Sequence, residues 1–296
     1  MADAFVDVLE QIPRGLVYVG MGIVLLVFAK FVQDFITPYK IQVQLRTHDN
    51  VALALSITGY YLGIVIVFLG AMYQPFGLIV ADSSLGFTEA YWEDVLRVLV
   101  YTAIGIVVLN VARMIVDRLV LYKFSTEDEI INDQNVGTGA VEAAVYVSVG
   151  LVIAGSISGE GGGPETSLAF LALGLAALIL YTLFYEFTSS YDLHDEIEKD
   201  NAAVGVALAG NLVAIGIVVF KSVFGEFTTW EEGLAGFLIY AVVGFALLFV
   251  VRRITDLVLF PKVSVAHELA VDRNLGVAFI VSGMVISVSL ILFFAV

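Results

Sequence analysis

The chain is predicted to be an all-α, polytopic membrane protein, because its composition and its long apolar runs agree. Of its 296 residues 60% are hydrophobic and 15% are charged, and the mean hydropathy is +0.96. These values lie far from those of soluble domains. Eight uncharged stretches recur: Gly15–Ala29, Val51–Ala81, Val98–Ala112, Ala143–Gly159, Thr166–Tyr185, Ala202–Phe220, Gly233–Val251 and Leu275–Val296.

Each stretch is expected to form one transmembrane helix. A crossing takes about 20 residues, so the first, third and fourth stretches need their flanks, which carry Lys30, Arg113 and Glu142. The first stretch follows an acidic rather than a basic segment and is expected to remain as a helix. There is no cysteine, which excludes disulfides and thiolate chemistry.

Four apolar runs begin at an asparagine that ends a charged segment: Asn50, Asn135, Asn201 and Asn274. Small residues follow at two, nine and thirteen positions beyond each asparagine, which lie within about 20° of one line on a helix. This stripe predicts close helix packing, with Gly59, Gly63, Gly210 and Gly283 among its members. Each asparagine is interpreted as a helix cap; the alternative is that the four form a ring of amides binding an ion or polar solute.

The second half of the chain repeats the first. At a constant offset of 139 residues, Arg113 matches Arg252, Asp117 matches Asp256, and Asn135 matches Asn274. A four-helix unit has an even number of crossings, so its two copies are parallel rather than inverted. The Gly-rich segment Gly159–Pro164 predicts the boundary, giving repeats at 1–160 and 161–296.

The basic residues predict the orientation of the protein. Arg14, Arg97 and Lys221 lie on one side; the other side holds Lys30, Lys40, Arg46, Arg113, Arg118, Lys123, Lys199, Arg252, Arg253, Lys262 and Arg273. The asparagine-bearing turns are therefore expected in the cytoplasm and both termini outside. The net charge of −15 repels nucleic acid.

Thr37–Gly70 resembles the YjfL-type bacterial membrane family, which is catalogued as a domain of unknown function. The resemblance rests on Thr37-Pro38, Asn50-Val51-Ala52, and Thr58-Gly59 with Gly63, and Asn-x-small recurs at the three later asparagines. It implies four-helix units in two tandem copies and a prokaryotic plasma membrane, and it carries over no catalytic or ligand residue. The second half departs from the pattern because Thr188-Ser189 replaces Thr-Pro.

Charged and polar side chains inside the apolar runs are the candidates for function. Glu142 lies about 10 Å along its helix, where a carboxylate needs a partner, a proton or water. Asn110 and Asn211 are its expected polar neighbours. Arg113 with Asp117, and Arg252 with Asp256, are spaced to pair on one helix face, either as structural ion pairs or on a transport path.

Two functions fit these patterns. The first is a transport or channel-like protein for a small ion or polar solute, favoured by Glu142 and the asparagines. The second is a non-transporting scaffold or stress-response component that docks cytoplasmic partners through Thr126–Asp133 and Tyr191–Asp200. The three histidines are interpreted as lying in solvated turns. No enzymatic motif, cofactor site or metal site is predicted. The expected surroundings are the lipid bilayer, and a cytoplasmic protein partner and a homo-oligomer are left open.

Overall fold

The described chain is helical. The computed structural model describes residues 2–72, 87–159, 161–259 and 263–295, with side chains from residue 12 and without those of 256–259. These residues contain twelve helices: α1 (Ala2–Ile36), α2 (Ile41–Thr47), α3 (Val51–Met72), α4 (Glu89–Val120), α5 (Thr126–Ile131), α6 (Val136–Ile157), α7 (Pro164–Thr188), α8 (Leu193–Glu198), α9 (Ala202–Val223), α10 (Trp230–Leu259), α11 (Val265–Ala270) and α12 (Leu275–Ala295).

Eight of these helices are long and apolar enough to cross a membrane, which confirms the predicted all-α, eight-helix class. They form four hairpins, each with an outer helix (α1, α4, α7 or α10), a short connector (α2, α5, α8 or α11) and a core helix (α3, α6, α9 or α12). The second apolar run was expected to reach Ala81. The helix ends at Met72, and residues 73–86 lie outside the described part.

The four core helices lie side by side in a row. Helix α3 packs on α6, α6 on α9, and α9 on α12. The approach is close because small residues meet at each contact, as where Ser148 Oγ donates to the carbonyl of Leu212 at 2.8 Å. In lipid, such close surface fit and interhelical hydrogen bonds hold helices together.

The outer helices form a second row on one side of the first. Each of α4, α7 and α10 contacts its own core helix and the core helix of the preceding hairpin. Adjacent outer helices also touch, for example through the rings of Tyr181 and Phe245, whose centroids lie 4.7 Å apart. The two inner core helices, α6 and α9, are consequently the most buried, whereas α3 and α12 end the row and are less buried.

Candidate functional site

The turn before each core helix has the same backbone in all four hairpins. The residue just before the asparagine has a positive φ: 52° at Asp49, 55° at Gln134, 59° at Asp200 and 51° at Arg273. A left-handed residue other than glycine costs about 1–2 kcal/mol, so the contacts of the turn hold it in place. No glycine stands at these positions, so the sequence carries no signal of the left-handed turn.

Each asparagine caps its core helix. Its Oδ1 accepts a hydrogen bond from a backbone N–H in the first turn, and the donors are Leu53, Thr138, Val204 and Val277 at 2.9–3.3 Å. Such a cap satisfies a backbone group that has no partner within the helix. The capping interpretation of the four asparagines agrees with this geometry.

The side-chain amides of three asparagines also bind the next hairpin. Nδ2 of Asn50 donates to the carbonyl of Ile130 at 2.7 Å, that of Asn135 to Ile197 at 2.6 Å, and that of Asn201 to Leu269 at 2.9 Å. Each acceptor lies near the end of the next connector helix. We call these three bonds the asparagine ladder.

The same amides donate to their own connectors. The acceptors are Gln44 for Asn50, Glu129 for Asn135, Glu196 for Asn201 and Glu268 for Asn274, at 2.7–3.5 Å. The first three asparagines are buried, with both amide hydrogens bonded. Asn274 is exposed, and among the described residues its amide donates only to Glu268.

This arrangement favours the capping interpretation over the alternative of a ring of amides. The four asparagines follow one another along the row of core helices, and the amides of three of them donate hydrogen bonds to backbone carbonyls. A ring would need the first and last core helices to meet, whereas they lie at opposite ends of the row.

Glu142 is buried on α6 and has a charged partner. Its Oε1 meets Nη2 of Arg113 from α4, and Nε of Arg113 lies 2.9 Å from Oδ2 of Asp117 one turn further along α4. The pair expected from the spacing of Arg113 and Asp117 is therefore present, and Glu142 joins it. We call these three side chains the buried triad, in which Glu142 and Asp117 are buried and Arg113 is half-buried. Pairing is what makes buried charges tolerable.

Aromatic and amide groups surround the buried triad. The guanidinium of Arg113 lies 5.5 Å from the ring centre of Tyr146, which packs edge-on against Tyr60. Nδ2 of Asn110 donates to the carbonyl of Ile106 at 2.8 Å and approaches the Tyr60 hydroxyl at 3.4 Å. Asn110 is therefore bonded elsewhere than to Glu142, contrary to expectation.

Asn211 also lies away from Glu142, in a cavity of about 280 Å³ in the second half. Its amide donates to the carbonyl of Ala207 at 2.8 Å. Arg252 and Arg253 line the same cavity, and Arg252 lies 4.3 Å from the ring centre of Tyr185. The side chain of Asp256, the expected partner of Arg252, lies outside the described side chains.

The two halves differ at this place. Val281 lies seven residues after Asn274, where the first half has Glu142 seven residues after Asn135, and it lines the cavity. The first half thus holds an ion-paired cluster. The second half holds a cavity that carries two arginines.

Three of the four predicted packing glycines lie in core contacts. Gly59 lies against Ala143, Gly210 lies against Ser282, and a methyl group added at Gly63 would come within 2.6 Å of the Tyr146 carbonyl. Gly283 differs, because a methyl group there would meet nothing within 4 Å. The expectation that Gly283 packs against a neighbouring helix is wrong within the described chain.

His194 is buried, contrary to the interpretation of the histidines as solvated. Its Nε2 lies 2.7 Å from the carbonyl of Val120 and its Nδ1 lies 2.9 Å from Oε1 of Glu186. The ring sits beside those of Tyr122 and Phe124. It therefore ties connector α8 to the ends of α4 and α7. Its spacing before Asn201 gave no signal of this contact.

The connectors carry carboxylates with opposed pKa shifts. Burial raises the pKa of Glu129, against the lowering effect of the hydrogen bond from Asn135. The carboxylates of Asp133, Asp200 and Glu198 raise it further, so the acidic groups of α5 and α8 act on one another. The hydrogen bond from Asn201 is the largest cause that lowers the pKa of Glu196.

Four capped core helices in a row, covered by four outer helices and duplicated in sequence, define a tandem-repeat multi-pass membrane protein. The chain belongs to the family described as Domain of Unknown Function (DUF350), whose model matches residues 7–157 and 162–296 as two tandem copies. The chain is also similar to a UPF0719 transmembrane protein of Aquifex aeolicus (strain VF5). The two are 24% identical over 267 residues, which cover 88% of this chain and 92% of that protein. No solved structure matches the chain.

Proposed function

We propose that the protein is a non-transporting membrane scaffold that holds its connector helices as one rigid cytoplasmic platform. The asparagine ladder carries this proposal. Three buried amides each join the start of one core helix to the connector of the next hairpin at 2.6–2.9 Å. Because the same asparagines also bond to their own connectors, α5, α8 and α11 cannot shift without breaking bonds to two hairpins.

The polar groups inside the membrane support a structural role. Glu142 is ion-paired with Arg113, which also pairs with Asp117. Transport carboxylates need access to solvent or to their cargo, whereas Glu142 is 4% exposed. The buried triad therefore serves to join α4 to α6.

The exposed face of the platform indicates the chemistry of a partner. Helices α5 and α8 and their flanking turns bear exposed carboxylates: Glu127, Asp128, Asp133, Asp192, Asp195, Glu198 and Asp200. Opposite charge steers association and sets its specificity. A basic segment of a cytoplasmic protein is the partner that this face favours.

One observation favours the second candidate, passage of a small solute. The cavity of about 280 Å³ in the second half brings Arg252, Arg253 and Asn211 together. Two guanidinium groups favour an anion. This candidate therefore predicts anion flux that depends on Arg252.

Flux in proteoliposomes separates the two candidates. For a scaffold, wild type, Glu142→Gln and Arg252→Gln should all match empty liposomes under proton, cation and anion gradients. Anion flux that falls in Arg252→Gln would establish the second candidate. Proton or cation flux that is lost in Glu142→Gln and kept in Glu142→Asp would contradict the scaffold role.

Rigidity of the platform is measured by spin labels on α5 and α8. The chain has no cysteine, so Glu127→Cys with Glu198→Cys gives two unique labels at exposed sites. We expect one narrow distance distribution that an ion gradient does not change, and a broader one when Asn135→Ser is added. Two distances that exchange with the gradient would indicate a transport cycle instead.

A further inference from the structure

Successive core helices meet through the same two faces each time. The residues at positions 2, 9 and 13 after the asparagine pack on the core helix that comes next in the chain, and we call them the following face. The residues at positions 4, 8 and 15 pack on the core helix that comes before, and we call them the preceding face. Gly59 and Gly210, at position 9, lie against Ala143 and Ser282, at position 8. A methyl group added at Gly216, at position 15, would lie 2.8 Å from Cα of Ser148, at position 13.

One copy of each face has no partner in the described chain. On α12 the following face consists of Gly276, Gly283 and Ser287, which are exposed. On α3 the preceding face consists of Ala54 and Thr58, which are exposed, and Val65, which is half-buried. The two ends of the row thus carry the two complementary halves of an interface that the chain itself forms three times.

The outer helices repeat a second contact. In α4, α7 and α10 a glycine faces the residue 17 positions after the asparagine of the preceding core helix, in the pairs Gly105–Val67, Gly174–Val152 and Gly244–Val218. At the two ends of the row, one residue of this repeated contact has no partner among the described residues. Ile291, 17 positions after Asn274, is 63% exposed. Gly20, which lies 30 residues before Asn50 as Gly105 does before Asn135, has nothing within 4 Å of an added methyl group.

The empty position at the α3 end is an apolar groove. A volume of about 430 Å³ lies between α1 and α3, lined by residues such as Val19, Ile23, Val65 and Leu69. In the other three hairpins the outer and core helices together contact the core helix of the preceding hairpin. Helix α1 has no preceding hairpin within the chain, and the groove marks that place.

The asparagine ladder ends in the same way. Ile130 and Leu269, two of its acceptors, lie five residues before the asparagine of their own hairpin. The corresponding residue of the first hairpin is Leu45. At the other end, the exposed amide of Asn274 donates to no connector beyond its own. The ladder has one spare donor and one spare acceptor, at opposite ends of the row.

We propose that the row continues between copies of this chain: α12 of one copy packs into the groove between α1 and α3 of a second copy. In this contact Gly283 lies against Thr58 and Ile291 against Gly20, beside the groove that Val65 lines, and the Asn274 amide donates to the Leu45 carbonyl. Close fit of small residues is the interaction that joins helices in lipid. The contact is heterologous, so copies close into a ring or extend as a filament. It goes beyond the scaffold role and stands without it.

Cysteine cross-linking between differently tagged, co-expressed full-length chains tests this contact. One chain carries Gly283→Cys and the other Thr58→Cys, in a protein with no other cysteine. We expect the two to form a disulfide-linked heterodimer in membranes, several-fold above Gly283→Cys alone, Thr58→Cys alone, and the lipid-facing pair Leu180→Cys with Ile239→Cys. A yield no higher than that of the lipid-facing pair would overturn the proposal. Linkage of Gly283→Cys to itself would also overturn it, because it indicates a two-fold contact.

The mass of the purified protein in nanodiscs gives the second test. Wild type should contain two or more copies per particle. Gly283→Trp should shift the mass to one copy and leave the melting temperature of the monomer fold intact, because no described residue lies within 4 Å of a methyl group added at that glycine. Leu180→Trp, at a 66% exposed site on α7, is the matched control and should keep the wild-type mass. A monomeric wild type, or a Gly283→Trp variant that keeps the wild-type mass, would contradict the proposal.

Discussion

At the residue scale, each inner asparagine combines a cap with a bond between hairpins, and the two roles can be separated. Asn135→Ser keeps a capping oxygen and removes the amide that serves Ile197 and Glu129. Because a buried acceptor left without a donor costs about 1–3 kcal/mol, we expect a loss of about 2 kcal/mol or more in unfolding free energy. Ser125→Ala, which removes a cap alone, should cost about 1 kcal/mol. If denaturant titrations gave equal losses of unfolding free energy for the two variants, the asparagine ladder would contribute nothing to stability beyond the cap.

The connector carboxylates predict opposite effects of charge removal. The raised pKa of Glu129 means that its contribution to stability is present at low pH and is lost as the pH rises through that pKa. The lowered pKa of Glu196 gives a contribution that is present at neutral pH and is lost on acidification. At neutral pH we therefore expect Glu129→Gln to raise the melting temperature and Glu196→Gln to lower it. Glutamine still accepts the asparagine amide, as Gln44 does in the first hairpin.

As the pH falls from about 8 to about 3, the Glu129→Gln difference should shrink first, because the raised pKa of Glu129 lets it take up a proton above the ordinary glutamate value of about 4.3. The Glu196→Gln difference should persist to lower pH, because the lowered pKa of Glu196 keeps it ionised there. Melting curves of the two variants and wild type across this range provide the measurement. Shifts of the same sign for both variants at neutral pH would contradict the assignment.

At the element scale, the spacing between core helices depends on glycines at the contacts. Gly59→Ala places a methyl group against the backbone of Ala143, and overpacking of this kind costs about 1–3 kcal/mol. Gly236→Ala on α10 meets nothing within 4 Å and should gain up to about 1 kcal/mol from helix propensity. Thermal unfolding in detergent compares the two. A Gly59→Ala variant as stable as Gly236→Ala would mean that α3 and α6 are loosely packed.

At the scale of the whole molecule, the basic residues predict that the connectors face the cytoplasm. Glu231 lies at the start of α10, at the end away from the connectors. A membrane-impermeant maleimide applied to intact cells should label Glu231→Cys and leave Glu127→Cys on α5 unlabelled until the cells are lysed. Both sites are exposed, so accessibility of the side chain is matched. The reverse labelling pattern would invert the topology and place the acidic platform outside.

The features that follow from local pattern were predictable. Uncharged runs gave the eight crossings, and the asparagine before each run gave its cap. The spacing of Arg113 and Asp117 gave an ion pair. A carboxylate inside an apolar run marks Glu142 as unusual, but its partner could not be predicted. Arg113 lies 29 residues earlier on another helix, and a single sequence does not show that the two side chains form an ion pair. His194 was misread for the same reason, since its partners lie on α4 and α7.

The sequence by itself determined that the protein lies in a membrane, that it is built from hairpins and that it is duplicated. Hydropathy, helix caps and internal similarity are properties of short segments, and a tandem repeat keeps them visible. Only the tertiary structure decided that the core helices form an open row, and that each amide reaches a carbonyl 62 to 80 residues further along the chain. Those partners depend on which helix faces are brought together. Packing over the whole molecule decides which faces meet, because the small-residue stripe by itself is compatible with a ring of core helices and with an open row.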